Sequence, residues 1–262
     1  MSQLRLDNVS LHYGRARSST PVLDRISLDI APGDFVAVLG LSGSGKSSLL
    51  NVAAGFLAPT AGRVSIDGIV RTGPSADRAV VFQDDALFAW LNVRNNVALP
   101  LQLRGLDASV RHRRADELLE QVGLKGEGNR SIWTLSGGQR QRVGIARALA
   151  AEPNFLLMDE PLGALDAMTR DRMQELLLRV WHASRTGALM ITHSVEEALF
   201  VATRVVVLAP APGRISEVVE TDFGARFLAG EPARAIKSDA EFIALREHLI
   251  AAIHRTSARI AA

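Results

Sequence analysis

Gly40, Leu41, Ser42, Gly43, Ser44, Gly45, Lys46 and Ser47 stand in the order G-x-x-x-x-G-K-S. Glycines at this spacing let the main chain wrap closely and aim N–H groups at phosphate oxygens. The apolar run Phe35–Leu39 precedes them and a helical run, Ser48–Ala54, follows. The start of that helix adds partial positive charge where an anion would sit. In this arrangement Lys46 reaches the β- and γ-phosphates of a nucleotide and the Ser47 hydroxyl ligates Mg²⁺. The chain holds 27 Arg and only three Lys, yet position 46 is Lys. A slender point charge fits there and a planar fork does not.

A second run, Phe155-Leu156-Leu157-Met158, ends in two adjacent carboxylates, Asp159 and Glu160. Two anions at the end of a buried strand are costly without a cation or water as partner. Asp159 suits the shell of Mg²⁺, directly or through water. Glu160 suits polarising an attacking water. A third stretch, Ser136-Gly137-Gly138-Gln139, opens a helical run. Ser136 can cap that helix and the glycines leave its N-terminus open to an anion; a plain capped helix accounts for these residues equally well.

These groups need elements to hold them. Leu4, Leu6, Val9, Leu11 and Tyr13 follow a two-residue alternation, as do Ile26, Leu28 and Ile30. That is the pattern of half-buried antiparallel strands. Short continuous apolar runs at Phe35–Leu39, Ala79–Phe82, Phe155–Met158, Ala188–Thr192 and Val205–Leu208 read as strands buried on both faces. Helical patterns between several of them predict a mostly parallel sheet flanked by helices. From about 84 to 153 the pattern is helical, as an inserted subdomain. Past Pro212-Gly213 it becomes a tail in which Phe242, Leu245, Leu249 and Ile253 share one helical face, with Ser238 and Glu241 at capping-box spacing. This tail helix is expected to pack on its own core, the alternative being subunit contacts.

Composition excludes several classes. The 262 residues carry 30 basic and 28 acidic side chains, a net charge of +2. The sequence pI of about 9.5 overstates this balance, because a chain with three Lys and one Tyr has little to titrate above neutral pH. Bulk attraction to nucleic acid gets little support from this balance. Without Cys there are no disulfides or thiolate metal sites. Met1–Val9 does not read as a signal peptide, and no run of about 18 apolar residues predicts a membrane span.

Taken together, Gly40–Ser47, Phe155–Glu160 and Leu135–Gln139 resemble the nucleotide-binding subunits of ABC transporters, nearly end to end. The resemblance implies an α/β fold: a P-loop NTPase core, mostly parallel sheet flanked by helices, with an N-terminal antiparallel β layer and an inserted α-helical subdomain. It implies a nucleotide-binding domain over 1–225 and a C-terminal helical extension over 226–262. It also implies ATP and Mg²⁺, and two cassettes closing head to tail so that each ATP lies between one phosphate loop and the partner's Ser136, Gly137, Gly138 and Gln139. Further roles come from the same likeness. Tyr13 would stack on adenine, and Ser48 would close the nucleotide-binding stretch that starts at Gly40. Gln83 would join Ser47 and Asp159 at Mg²⁺ and sense the membrane partner. His193 would contact the γ-phosphate and orient Glu160 and water. Asp166, in Gly163-Ala164-Leu165-Asp166, would serve communication between cassettes; Gly163 stands where Ser is more usual.

Gly73–Arg78, Val80–Gln83 and Leu87–Val93 resemble the ATPases of nitrate, sulfonate and taurine importers, with Ala89 where Pro is common. Arg226–Glu231, Ala235–Asp239 and Phe242–Ala244 resemble the taurine branch most. The implied role is a peripheral ATPase on the cytoplasmic face of the bacterial inner membrane. Its implied partners are a second copy, two transmembrane permease subunits and a periplasmic or extracellular solute-binding protein, with no nucleic acid. The transported solute is taken as taurine. The alternatives are another small anion, an alkanesulfonate or nitrate, or a soluble ABC-type ATPase outside transport.

Overall fold

The apolar runs are continuous because the central strands bury both faces. In the computed structural model, which describes residues 2–13, 21–84, 86–163 and 165–258, β3 spans Phe35–Gly40 and is buried throughout. Its Val36 and Val38 belong to one core, and Phe35, Ala37 and Leu39 to another on the opposite face. β7 (Phe155–Asp159) divides the same way: Phe155 and Leu157 against Leu156 and Met158. Successive side chains of a strand point to opposite faces, so one sheet serves two cores.

The sheet has six strands. β6 (Arg78–Val81), β7, β8 (Gly187–Ile191), β3 and β9 (Arg204–Ala209) run parallel, with β10 (Arg214–Glu220) antiparallel at the edge beside β9. The second layer is antiparallel: β1 (Leu4–Leu11), β2 (Leu23–Ile30), β4 (Ala61–Ile66) and β5 (Ile69–Val70), in the order β2-β1-β4-β5. It covers one face together with α1 (Lys46–Ala54). The opposite face carries α2 (Val93–Leu103), α3 (Ala108–Gln121), α4 (Gly137–Ala150), α5 (Ala167–Ser184) and α6 (Val195–Val201). Helices α2, α3 and α4 pack on one another, and α4 also lies on β6.

Three elements depart from the expectations above. β4 and β5 form a hairpin where no strand was predicted; Asp67 and Gly68 at its tip both have positive φ, the two-residue turn that Asp-Gly favours. The segment after Gly213 does not begin as a tail: Arg214–Glu220 is β10, alternating exposed and half-buried like an edge strand. The chain then forms α7 (Phe223–Leu228), which spans the 225/226 position, α8 (Ala233–Lys237) and α9 (Ala240–Ala258). Phe242 and Leu249 of α9 are fully buried in the same core as α5 and α6. Each such burial contributes roughly 1.5–3 kcal/mol, which holds the extension on the body. The expected Ser238–Glu241 capping box is absent. The Ser238 hydroxyl instead donates back to the Arg234 carbonyl, and the Asp239 carboxylate accepts from Glu241 N–H at 2.8 Å. With the helix starting at Ala240, Asp239 occupies the cap position.

Candidate functional site

Parallel strands align their carboxyl ends, and that edge is where an open α/β sheet gathers its chemistry. Here it gathers Gly40 from β3, Asp159 from β7 and Glu160 just after it, His193 after β8, and Gln83 just beyond β6. A cavity of about 420 Å³ at this edge is lined by Ser42, Gly43, Gly45, Lys46, Ser47, Ser48, Glu160 and His193, together with Val22.

The phosphate loop is built tightly. Gly45 has φ 91°, and a Cβ there would come within 2.8 Å of Leu23 Cδ2 and 3.0 Å of the Val22 carbonyl. Only glycine accepts both that backbone and that contact. Gly45 caps α1 without a side-chain bond. Helix geometry leaves the N–H groups of Lys46, Ser47 and Ser48 without intrahelical acceptors, while Leu49 N–H reaches the Gly45 carbonyl at 2.8 Å. Ser44 Oγ is buried with no partner. Lys46 Nζ donates to the carbonyls of Gly40 (2.8 Å) and Leu41 (3.0 Å). Burial lowers the Lys46 pKa, with Glu160 and Asp159 pulling it back up. The loop therefore offers unpaired donors and a buried cation, the requirements for a polyphosphate.

The Asp159 carboxyl is pushed above its usual range by burial and by Glu160; the Ser47 hydroxyl and Lys46 oppose the shift. A hydroxyl beside one desolvated carboxylate fits Mg²⁺, which takes few protein ligands and keeps water and phosphate oxygens for the rest. Glu160 follows β7 with φ 43°, a strained backbone for a non-glycine residue. Its N–H remains on the Ile191 carbonyl at 2.9 Å. Glu160 Oε2 lies 3.2 Å from His193 Nδ1, and both line the cavity. A carboxylate and an imidazole so paired can hold a water and take up its proton. Gly163 leaves room beside Glu160: a Cβ there would stand 3.5 Å from Glu160 Oε2.

The other expected residues are placed at different distances from this centre. Tyr13 is half exposed and does not itself line the cavity, but its hydroxyl shares a hydrogen bond at 3.0 Å with the Oγ of Ser48, which does. Gln83 is exposed beyond β6 and does not line the cavity. Ser136 and Gln139 form a closed capping box: Gln139 N–H donates to Ser136 Oγ (3.3 Å) and Ser136 N–H to Gln139 Oε1 (3.0 Å). Gly137 is open, with nothing within 4 Å of an added Cβ, whereas Gly138 packs against Thr169. The stretch does not line its own chain's cavity. Asp166 caps α5, accepting from Thr169 N–H at 3.0 Å. That bond holds its carboxyl below the usual range. Ala164 of the same loop lies outside the described residues.

Glu197 is a residue that pattern alone misplaces. Its spacing from Ser194 predicts a capping box, and Ser194 Oγ does accept from Glu197 N–H at 3.3 Å. The Glu197 side chain, however, turns inward: it is 3% exposed and accepts from Thr192 Oγ1 at 3.1 Å. The same hydroxyl accepts from Ser194 N–H, so the network braces both neighbours of His193. Burial pushes the Glu197 carboxyl up to about 7. A carboxyl raised on folding supports the fold fully below its unfolded value, and that support is lost as pH rises through about 7. Glu197→Gln is therefore expected to match the parent near pH 5. At pH 8 it should be more stable by about 1–3 kcal/mol. Thermal unfolding at the two pH values checks this, and equal differences at both would refute it.

A larger cleft, about 820 Å³, lies between the antiparallel layer and β10. Its arginines are already paired: Arg5 with Asp29, Arg214 with Asp24 and Arg204 with Asp34. It has no convergent reactive groups comparable to those at the strand edge.

The sequence profile of the ABC transporter family matches residues 23–163. The taurine import ATP-binding protein of Sinorhizobium fredii is 57% identical over 252 residues, covering 95% of this chain and 94% of that protein. That of Pseudomonas putida is 54% identical over 253 residues, covering 97% and 96%. Among solved structures, a post-hydrolysis dimer of an ATP-binding cassette with ADP and phosphate superposes with a TM-score of 0.72 at 32% identity. It covers 83% of this chain and 98% of its own.

Proposed function

Since the chain belongs to the ABC transporter family, we propose that it is the ATP-hydrolysing subunit of a taurine importer. The observation that carries the hydrolytic part is the pairing of Glu160 with His193 in the cavity that Lys46 and Ser47 also line. Lys46 and the N–H groups of the loop and α1 bind the nucleotide phosphates, and Tyr13 stacks on the base. Ser47 and Asp159 would hold Mg²⁺, with Gln83 contributing from beyond β6, and the ion would supply charge neutralisation at the transferring phosphate. Glu160 takes the proton of the attacking water, and His193 holds Glu160 and the γ-phosphate in line. Phosphoryl transfer leaves little covalent work for a protein, so positioning and charge dominate.

Ser136, Gly137, Gly138 and Gln139 complete the site of a second copy, as their place outside their own cavity and the open Gly137 support. Asp166 lies at that interface. Closure of the two copies drives two permease subunits, supplied with solute by a separate binding protein. Among the described residues no helix is long and apolar enough to cross a membrane. As the ATP-binding partner of that permease, like the import ATP-binding proteins it resembles, the chain acts on the cytoplasmic face, with 1–225 as the motor and 226–262 as its extension.

The taurine assignment rests on the identity to the two import proteins above. A strain lacking this chain is expected to lose taurine uptake and retain nitrate uptake. Loss of nitrate or alkanesulfonate uptake with taurine uptake intact would reassign the solute.

A further inference from the structure

Lys237 is the last residue of α8, and its side chain is mostly covered. Its ammonium meets four groups on two helices. On α5 these are Asp171 Oδ1 at 2.7 Å and Gln174 Oε1 at 2.9 Å. On α6 they are Glu196 Oε1 at 3.3 Å and the Phe200 ring, whose centroid is 4.9 Å away. Asp171 and Gln174 are three residues apart, and Glu196 and Phe200 four apart, so each pair shares one helix face. An ammonium has three donors, and here three acceptors and one aromatic face surround it. Arg outnumbers Lys ninefold in this chain, and a planar guanidinium would not match four groups converging from two helices.

Two of the site residues outside the phosphate loop, Asp166 and His193, stand just before these two helices. Asp166 caps α5, five residues before Asp171. His193 lies three residues before Glu196, next to Ser194, the cap of α6. The platform behind Lys237 is firm. Ile236 is fully buried. Phe223 and Phe242 meet edge to face at 4.9 Å, and Arg226 binds both Glu231 and Asp239. A second cation acts at the same end of α5: Arg170 donates to the Leu165 carbonyl at 2.7 Å.

The geometry points to Lys237 as a positioning residue for ATP hydrolysis, through which the C-terminal extension fixes α5 and α6 relative to each other and so sets His193 and Asp166. This rests on the roles given above to Glu160, His193 and Asp166. The extension is then a working part of the motor. The phosphate loop belongs to β3 and α1, which Lys237 does not touch, so the clamp acts on turnover and not on nucleotide affinity. Asp171 and Glu196 remain substantially exposed, and exposed ion pairs contribute little to global stability.

The test is steady-state ATPase activity of the full chain with Mg·ATP for the parent, Lys237→Met, the double variant Asp171→Asn with Glu196→Gln, and Glu160→Gln. Lys237→Met and the double variant are each expected to lower kcat about fivefold or more, with KM for ATP within about twofold of the parent. A purely structural role would lower the unfolding temperature without that split. Parent-like kcat in both variants, or a change confined to KM, overturns the proposal while Glu160→Gln stays inactive. If Lys237→Met does not fold, the double variant decides alone. Parent-like turnover by Glu160→Gln would overturn the underlying site assignment instead.

Discussion

Glu160→Gln is expected to abolish ATP turnover while leaving ATP binding in place. The amide keeps the size of the carboxylate and can still face His193, 3.2 Å away in the parent. It cannot take a proton from water. Removing a positioned general base costs about 10²–10⁴-fold in rate. The backbone supports this as a local change: Glu160 N–H bonds the Ile191 carbonyl, and the φ of 43° is set by the turn after β7. Binding depends on Lys46 and the loop, which the substitution does not alter. ATP should therefore accumulate unhydrolysed, and if two copies share each nucleotide as proposed, the variant should persist as an ATP-bound dimer. Phosphate release measures the first effect and size-exclusion chromatography with ATP the second. Hydrolysis at the parent rate would remove Glu160 from its assigned role.

Lys46→Ala is expected to lose both affinity and rate. Lys46 is buried and is the cation of the phosphate loop, with Nζ held over the Gly40 and Leu41 carbonyls. Hydrogen bonds to charged groups are worth about 1.5–3 kcal/mol, which corresponds to roughly 10- to 150-fold in ATP affinity. Loss of charge stabilisation at the transferring phosphoryl group should remove a further factor of about 10²–10³ from kcat. Titration with a fluorescent ATP analogue separates the binding loss from the rate loss. The fold should survive, because α1 also holds Leu49, Leu50, Val52 and Ala53 in the core. Unchanged binding and turnover would be incompatible with the phosphate-loop reading.

Much of the fold was legible because its signals are local. Both faces of β3 and β7 are buried, so their apolar runs are unbroken, and a strand that must end at a ligand ends in Gly40 or in Asp159 and Glu160. The β4–β5 hairpin carried a local signal too, Asp67-Gly68. β10 was obscure for a physical reason: as an edge strand it has half-exposed, charge-bearing positions that resemble a polar tail. At the site, residue type and spacing located the phosphate loop and the acidic pair. Ser136 and Asp166 each satisfy a helix end of their own chain, and such a capping pattern is also what a plain capped helix shows, so it marks no interface.

By itself the sequence determined which chemistry is present: a phosphate cradle after one buried strand, a carboxylate pair at the end of another, and the alternation of strands and helices between them. These depend on backbone conformations and periodicities set over a few residues. The tertiary structure alone decided which side chains become partners. It turned Glu197 inward to Thr192 and gave the cap of α9 to Asp239 instead of Ser238. It brought Lys237 to Asp171 and Glu196, 66 and 41 residues away in the chain. Partner choice depends on distance and burial between segments remote in sequence, and no local pattern encodes either.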